Sequence, residues 1–211
     1  MTDSDSRARS HLRLVGSALT RLTDEELMER HRDGEAGCFD VLVERYKGRI
    51  FAFLRRMGFN HARAEELTAD TFLKVHRAAP RYQPSAKFST YLYTVARRAG
   101  LNARDRMSTR YEFAAGGTEL EVEPTRAPDA ERQLAARRSV ELLRRELARL
   151  PAEHQDAFNL YYAQGLSCAE VAEILGITAA EAKGRLAYSR KLLRQRLAGL
   201  VPEADPSETP R

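Results

Sequence analysis

The stretch GLSCAEVAEILGITAAEAKGRLAYSRK, residues 165–191, decides how the chain is read. Ser167 stands three residues before Glu170, and Thr178 three before Glu181. Each pair is a capping box, so each opens a helix. Gly176 between them supplies a tight turn. Val171, Ala172, Leu175, Ile177, Ala182 and Leu186 are spaced to form a shared inner core, and the small Ala172 allows close helix approach. A short helix, a glycine turn and a basic second helix are the helix-turn-helix plan, whose second helix enters the major groove. Residues 182–196 carry Lys183, Arg185, Arg190, Lys191, Arg194 and Arg196 and no acid, a local charge of +6. Lys183, with Gly184, Ala187 and Tyr188 beside it, is placed to meet base edges. Arg185, Arg190 and Lys191 are placed to hold phosphates.

Upstream, a helix is expected over 131–149, and Pro151 suits the first residue of the next helix. That helix carries Ala157, Phe158, Leu160 and Tyr161 and ends at Gly165. Residues 112–131 differ in character. Six acids (Glu112, Glu119, Glu121, Glu123, Asp129 and Glu131) face one base, Arg126, and Gly116-Gly117, Pro124 and Pro128 deny a regular helix. The spacing predicts a linker over 112–130, with helical domains over 22–111 and 131–200. Residues 1–21 are expected to be a loose arm and 201–211 a frayed tail.

In the first domain Thr23 and Glu26 form another capping-box pattern. Phe39, Leu42, Val43, Tyr46, Ile50, Phe53, Leu54 and Met57 recur at helical spacing, as do Ala62, Leu67, Ala69, Phe72, Leu73 and Val75. Pro80 and Pro84 predict a loop over 78–87. A further helix over 88–106 would turn Tyr91, Leu92, Val95, Ala96 and Ala99 inward. No segment alternates with period two, so the fold class is all-α, two small helical domains on a tether. Residues 71–111 hold nine bases (Arg81, Lys87, Arg97 and Arg98 among them) against Asp105, a charge of +8. These bases interleave with Tyr82, Phe88, Tyr91 and Tyr93. Cations beside aromatic faces make a stacking platform for unpaired bases, and about two of the four aromatics are expected at the surface.

The whole chain has 211 residues, 43% hydrophobic and 31% charged, with a net charge of +5. That is enough apolar surface for a core. No run approaches the length of a membrane helix, and no membrane insertion is expected. The N-terminal apolar run is short and interrupted by Arg13, a poor secretory signal. Cys38 and Cys168 stand alone, which fits reduced thiols and a cytoplasmic setting. The five histidines are scattered, and no phosphate loop, metal-binding spacing or catalytic triad is present. The expectation is therefore no enzyme, no cofactor and no metal.

At this point several ordered blocks resemble the bacterial RNA polymerase sigma factors of the extracytoplasmic-function (ECF) type. Phe39–Tyr46 is similar to the opening helix of region two. Ala64-Glu65-Glu66-Leu67-Thr68-Ala69-Asp70-Thr71-Phe72-Leu73-Lys74-Val75 is similar to that family's most diagnostic block. Residues 88–97 are similar to its DNA-melting helix, and Leu147–Pro151 with 165–194 to its region four. The resemblance implies that Glu66, Leu67, Asp70, Thr71 and Phe72 dock on the clamp helices of core polymerase. It implies that Arg81, Tyr82, Lys87, Phe88, Tyr91, Arg97 and Arg98 hold the unpaired −10 strand. The helix around Lys183 would read the −35 element. The partners implied are core RNA polymerase, through its clamp helices and flap, promoter DNA, and a separate anti-sigma protein.

Some positions depart from the family pattern. Tyr91 stands where Trp is frequent, Asn102 where an acid is, and Glu181-Ala182-Lys183-Gly184-Arg185 where Thr-Val-Lys-Ser-Arg is common. The alternative reading is a stand-alone helix-turn-helix regulator that is not a polymerase subunit. It would have no need of a basic aromatic loop and an acidic docking helix in the first domain.

Overall fold

The structure, a computed structural model, describes residues 18–108 and 130–198, with side chains described for 18–106 and 138–198. Most of the expected arm, all but the last residue of the expected linker 112–130, and the tail lie outside the described residues; Ala130 already belongs to a helix. The chain divides into two compact units, 1–120 and 121–211. All regular structure among the described residues is helical.

The first unit opens with α1 (Asp24–Arg32). The Thr23–Glu26 capping box forms: the Glu26 N–H donates to Thr23 Oγ1 at 3.2 Å, and the Thr23 N–H donates to Glu26 Oε2 at 2.8 Å. Helix α2 (Cys38–Arg56) follows, then α3 (His61–Ala78), whose first turn is capped by Asn60 Oδ1 accepting from the Arg63 N–H at 2.9 Å. A 3-10 turn over Ala79–Arg81 contains Pro80, which lacks the N–H an α-helix would use. After an extended segment comes α4 (Phe88–Ser108).

The core is apolar and continuous. Leu27 and Met28 of α1, Leu42, Ile50, Phe53 and Leu54 of α2, Val75 of α3, and Phe88, Leu92 and Tyr93 of α4 are all fully buried. The α2 stripe matches the expected spacing at Leu42, Tyr46, Ile50, Phe53, Leu54 and Met57, while Phe39 and Val43 are half-buried. In α3 only Leu67, Phe72 and Val75 of the expected set turn inward, and Ala62, Ala69 and Leu73 face out. In α4 the buried face is broader than one stripe. Tyr93 packs its ring edge-on against Phe53 with centroids 5.4 Å apart, because α4 lies against both α2 and α3.

The second unit begins with α5 (Ala130–Ala148). Pro151 is the residue before α6 (Ala152–Phe158) rather than its first residue, with an extended ψ of 142°. A π-helical turn over Asn159–Ala163 extends α6 to Gly165. The helix-turn-helix follows as α7 (Cys168–Leu175) and α8 (Ala179–Leu197), each opened by its capping box, Ser167–Glu170 and Thr178–Glu181. Gly176 closes α7 in the left-handed conformation, φ 68°. No atom lies within 4 Å of where its Cβ would be, so glycine is favoured there by backbone conformation, not by crowding. Val171, Ala172, Ala182 and Leu186 are buried as expected. Ile174 takes the inner place expected of Leu175, which with Ile177 is half-buried.

Burial raises the phenols of the first unit, Tyr46 most of all, and holds Tyr93 and Tyr82 far above their ordinary value. Tyr93 is pushed up to about 12, and Tyr82 likewise to about 12 by burial and then by the nearby Glu25 and Glu29. An unfolded phenol ionises near its usual value of about 10, so the stability contributed by the neutral folded form is complete below that pH. It is lost as pH rises toward about 12. The melting midpoint of the first unit is therefore expected to fall above about pH 10, with tyrosinate absorbance appearing together with loss of helicity. Full tyrosinate absorbance with helicity intact near pH 10 would contradict this packing.

Candidate nucleic-acid interface and docking face

In the first unit, the residues around the proline loop form an aromatic cluster. Ring centroids are 5.8 Å apart for Tyr82 and Tyr91, 6.4 Å for Tyr82 and Phe88, 6.5 Å for Phe88 and Tyr91, and 5.7 Å for Tyr46 and Phe88. Phe88 is fully buried and Tyr82 only 7% exposed, so neither offers a face to a base in this structure. Tyr93 is buried as well. Of the four aromatics only Tyr91 is half-open, against the two expected. Large aromatic rings next to cations in sequence went to the core because α4 is flanked by two helices. Arg81, Lys87 and Arg98 are exposed and Arg97 is half-buried. At the surface the −10 candidates thus reduce to these four cations and the half-open Tyr91.

The expected docking helix also splits into two faces. Leu67, Thr71 and Phe72 are buried, and the Thr71 hydroxyl donates to the Leu67 carbonyl at 2.6 Å. Packing inside the unit already uses them. Glu66 and Asp70 are exposed, and Glu66 Oε2 accepts from Arg63 Nη1 at 2.6 Å. Beside them is Leu73, 44% exposed, which the periodicity had placed inward. Helical spacing puts Glu66, Asp70 and Leu73 on one outward face. The signal was available: Leu73 lies six residues from buried Leu67, which is out of phase for a single stripe.

On α8 the outward residues are Lys183, Gly184, Ala187, Tyr188, Arg190 and Lys191, all exposed. Arg185 differs. Its Nη2 lies 2.9 Å from Glu153 Oε2 on α6, and its side chain is only 22% exposed. Tyr188 is half exposed and its ring lies tilted against that of His154, centroids 4.9 Å apart. Two residues of the second helix are thus fixed by side chains of α6, a link that their separation in sequence concealed. Glu181 is occupied at its own helix N-terminus, where the Thr178 backbone N–H and then its hydroxyl hold the carboxyl below its usual range.

Among the described residues there is no group of three or more His, Cys, Asp or Glu side chains placed for a metal ion, and no helix long and apolar enough to cross a membrane. Cys38 is buried and Cys168 half-buried, both as free thiols. What the surface presents is charge: a carboxylate-leucine face on α3, exposed cations on either side of Tyr91 in sequence, and a basic second helix in a helix-turn-helix.

A basic second helix in a helix-turn-helix is the plan of a DNA-binding transcription factor. Sigma-70 region 2 matches residues 42–109, and Sigma-70 region 4 matches residues 140–193. The RNA polymerase sigma factor CarQ of Myxococcus xanthus is 34% identical over 177 residues, covering 83% of this chain and 98% of CarQ. The ECF sigma factor SigW of Bacillus subtilis is 27% identical, over 80% of this chain and 94% of SigW. Among solved structures, CnrH in complex with the cytosolic domain of CnrY shares the fold with a TM-score of 0.62 at 20% identity, covering 83% of this chain and 97% of that one. The chain belongs to the RNA polymerase sigma factors of the extracytoplasmic-function type, and its function is that of a sigma factor. The region 2 match in the first unit goes against a stand-alone regulator.

The Glu153–Arg185 pair has a measurable consequence. Glu153 is 67% exposed, so the pair contributes no more than about 1 kcal/mol to stability. Glu153→Gln should leave the melting midpoint nearly unchanged and release a cation toward phosphate. Non-specific duplex binding should then tighten, and its log–log salt dependence steepen by about one counterion. An unchanged salt slope would mean that Arg185 already contacts phosphate in the wild type.

Proposed function

We propose that the outward face of α3, with Glu66, Asp70 and Leu73, docks on the clamp helices of core polymerase. Two carboxylates around an exposed leucine suit a basic coiled coil with apolar gaps, and they repel DNA phosphates. The cations Arg81, Lys87, Arg97 and Arg98 hold the unpaired −10 strand, with Tyr91 stacking on a base. Tyr82 and Phe88 shape that surface from beneath. The second helix of the helix-turn-helix reads the −35 element through Lys183 and Tyr188, with Gly184 and Ala187 letting the backbone approach the groove. Arg190 and Lys191 hold phosphates, and Arg185 is oriented by Glu153.

The observation that carries this reading is the separation of exposed side chains within the first unit, where carboxylates and Leu73 share one face of α3 while the loop before α4 and α4 itself carry exposed cations and the half-open Tyr91. We extend to this chain a separate anti-sigma partner. CnrH was solved with the cytosolic domain of CnrY, and the sigma factor RpoE of Bartonella quintana with the anti-sigma factor NepR. The protein acts in the cytoplasm, where polymerase is, and carries no catalytic chemistry of its own.

Replacing Lys183 and Arg185 with Ala should abolish promoter-specific transcription and leave core polymerase affinity unchanged; retained promoter activity would remove α8 from the reading role. Asp70→Ala with Leu73→Ala should weaken core binding by about tenfold or more in a direct binding assay, with helicity intact. Unaltered affinity would show that another face docks.

A further inference from the structure

The segment between Tyr82 and Phe88 is held from both ends by α1. Arg32 Nη1 donates to the Tyr82 carbonyl at 3.4 Å, and the Phe88 N–H donates to Glu25 Oε1 at 2.7 Å. Between these two points Gln83, Pro84, Ser85 and Lys87 are exposed and Ala86 is half-buried. Phe88 is the first residue of α4, so its N–H is one that no helical carbonyl reaches. Lys87 just before it has no acceptor on its side chain. The carboxylate comes instead from Glu25, sixty-three residues earlier in the chain, and a carboxylate also suits the positive end of the helix dipole. Beneath the segment, the Tyr82 ring is buried near Glu25 and Glu29, and its hydroxyl has no hydrogen-bond partner.

An acid beside a cationic surface weakens phosphate attraction, so a contact role for Glu25 is a poor fit. A role in shape fits well. A short loop with free ends must be ordered each time it binds, at a cost in backbone entropy for every residue fixed. Pinning both ends to a rigid helix means that cost has already been met when the strand arrives. We propose that Glu25 is a positioning residue for strand capture: with Arg32 it presets loop 83–87 and the entry of α4, so that an unpaired base meets a preformed surface. This rests on the assignment of the Tyr91 surface to the unpaired strand.

The test uses the full chain with core polymerase, a promoter duplex that the wild-type holoenzyme opens, and a 2-aminopurine-labelled single-stranded oligonucleotide of its −10 element. If the wild type opens no promoter, the strand-capture assignment fails before Glu25 is tested. If it does, Glu25→Ala, which removes the acceptor of the Phe88 N–H, should slow permanganate-detected opening by about fivefold or more, as loss of a helix cap converts to rate, and Glu25→Gln, which keeps an accepting oxygen, should restore much of it. Oligonucleotide affinity of Glu25→Ala should fall comparably, while core affinity and closed-duplex binding stay within about twofold. Arg32→Gln should act in the same direction.

Opening by Glu25→Ala at the wild-type rate would overturn the proposal. So would a fall in opening that merely tracks a lower melting midpoint and weaker core binding, which is the mark of a structural role. If the variant does not fold, hydrogen exchange at the Phe88 amide of the wild-type chain decides. Protection of about tenfold or more, increased by the oligonucleotide, supports the tether, and exchange at the free-chain rate overturns it.

Discussion

Carboxylates at the start of α1 set how the helices of the first unit meet. A helix turns by about 100° per residue, so Asp24, Glu25 and Glu26 point in three directions. Glu26 turns back to Thr23 and closes its own helix. Asp24 accepts from Arg45 Nη1 and from the Tyr46 hydroxyl, which fixes α2, and Arg45 also donates to the carbonyls of Thr20 and Leu22. Glu25 reaches the first amide of α4. Hydrogen bonds to charged groups are worth about 1.5–3 kcal/mol each, more than neutral ones. The apolar core supplies the bulk of stability without directional preference, while these bonds set the angle and register at which α2 and α4 meet α1.

Features set by neighbours in sequence were legible there. All three capping boxes at Thr23, Ser167 and Thr178 are present, because a cap is a contact over three residues. The α2 stripe emerged because one helix face meets one core. The order of helices and the glycine turn at Gly176 were legible for the same reason. What failed needed knowledge of the flanking elements. Tyr82, Phe88 and Tyr93 sit among cations in sequence, but their neighbours' charge says nothing about which way a ring points. With helices on two sides of α4, the apolar area of those rings is worth more buried than displayed. Leu73 was hidden by the opposite error, in which every apolar residue of α3 was counted toward one stripe.

The polar tethers were not legible at all. Glu153–Arg185 joins residues of different helices, and Glu25–Phe88 spans most of the first unit. Such contacts leave no periodic trace. They also change what the site residues do: Arg185 is a held cation rather than a loose one, and the loop before α4 is a fixed surface. The net charge of +5 conceals this arrangement. Two strongly basic stretches are balanced by acids elsewhere in the chain, some of them exposed on α3. Segregated charge of this kind lets one small protein meet a protein partner and nucleic acid through different faces, each with its own complementarity.

The most direct test is run-off transcription by core RNA polymerase on a randomised promoter library, with and without this chain. Start sites that appear only with the chain and share sequence elements near −10 and −35 are the predicted result. A chain that binds duplex DNA and leaves the start sites of core polymerase unchanged would contradict its action as a sigma factor.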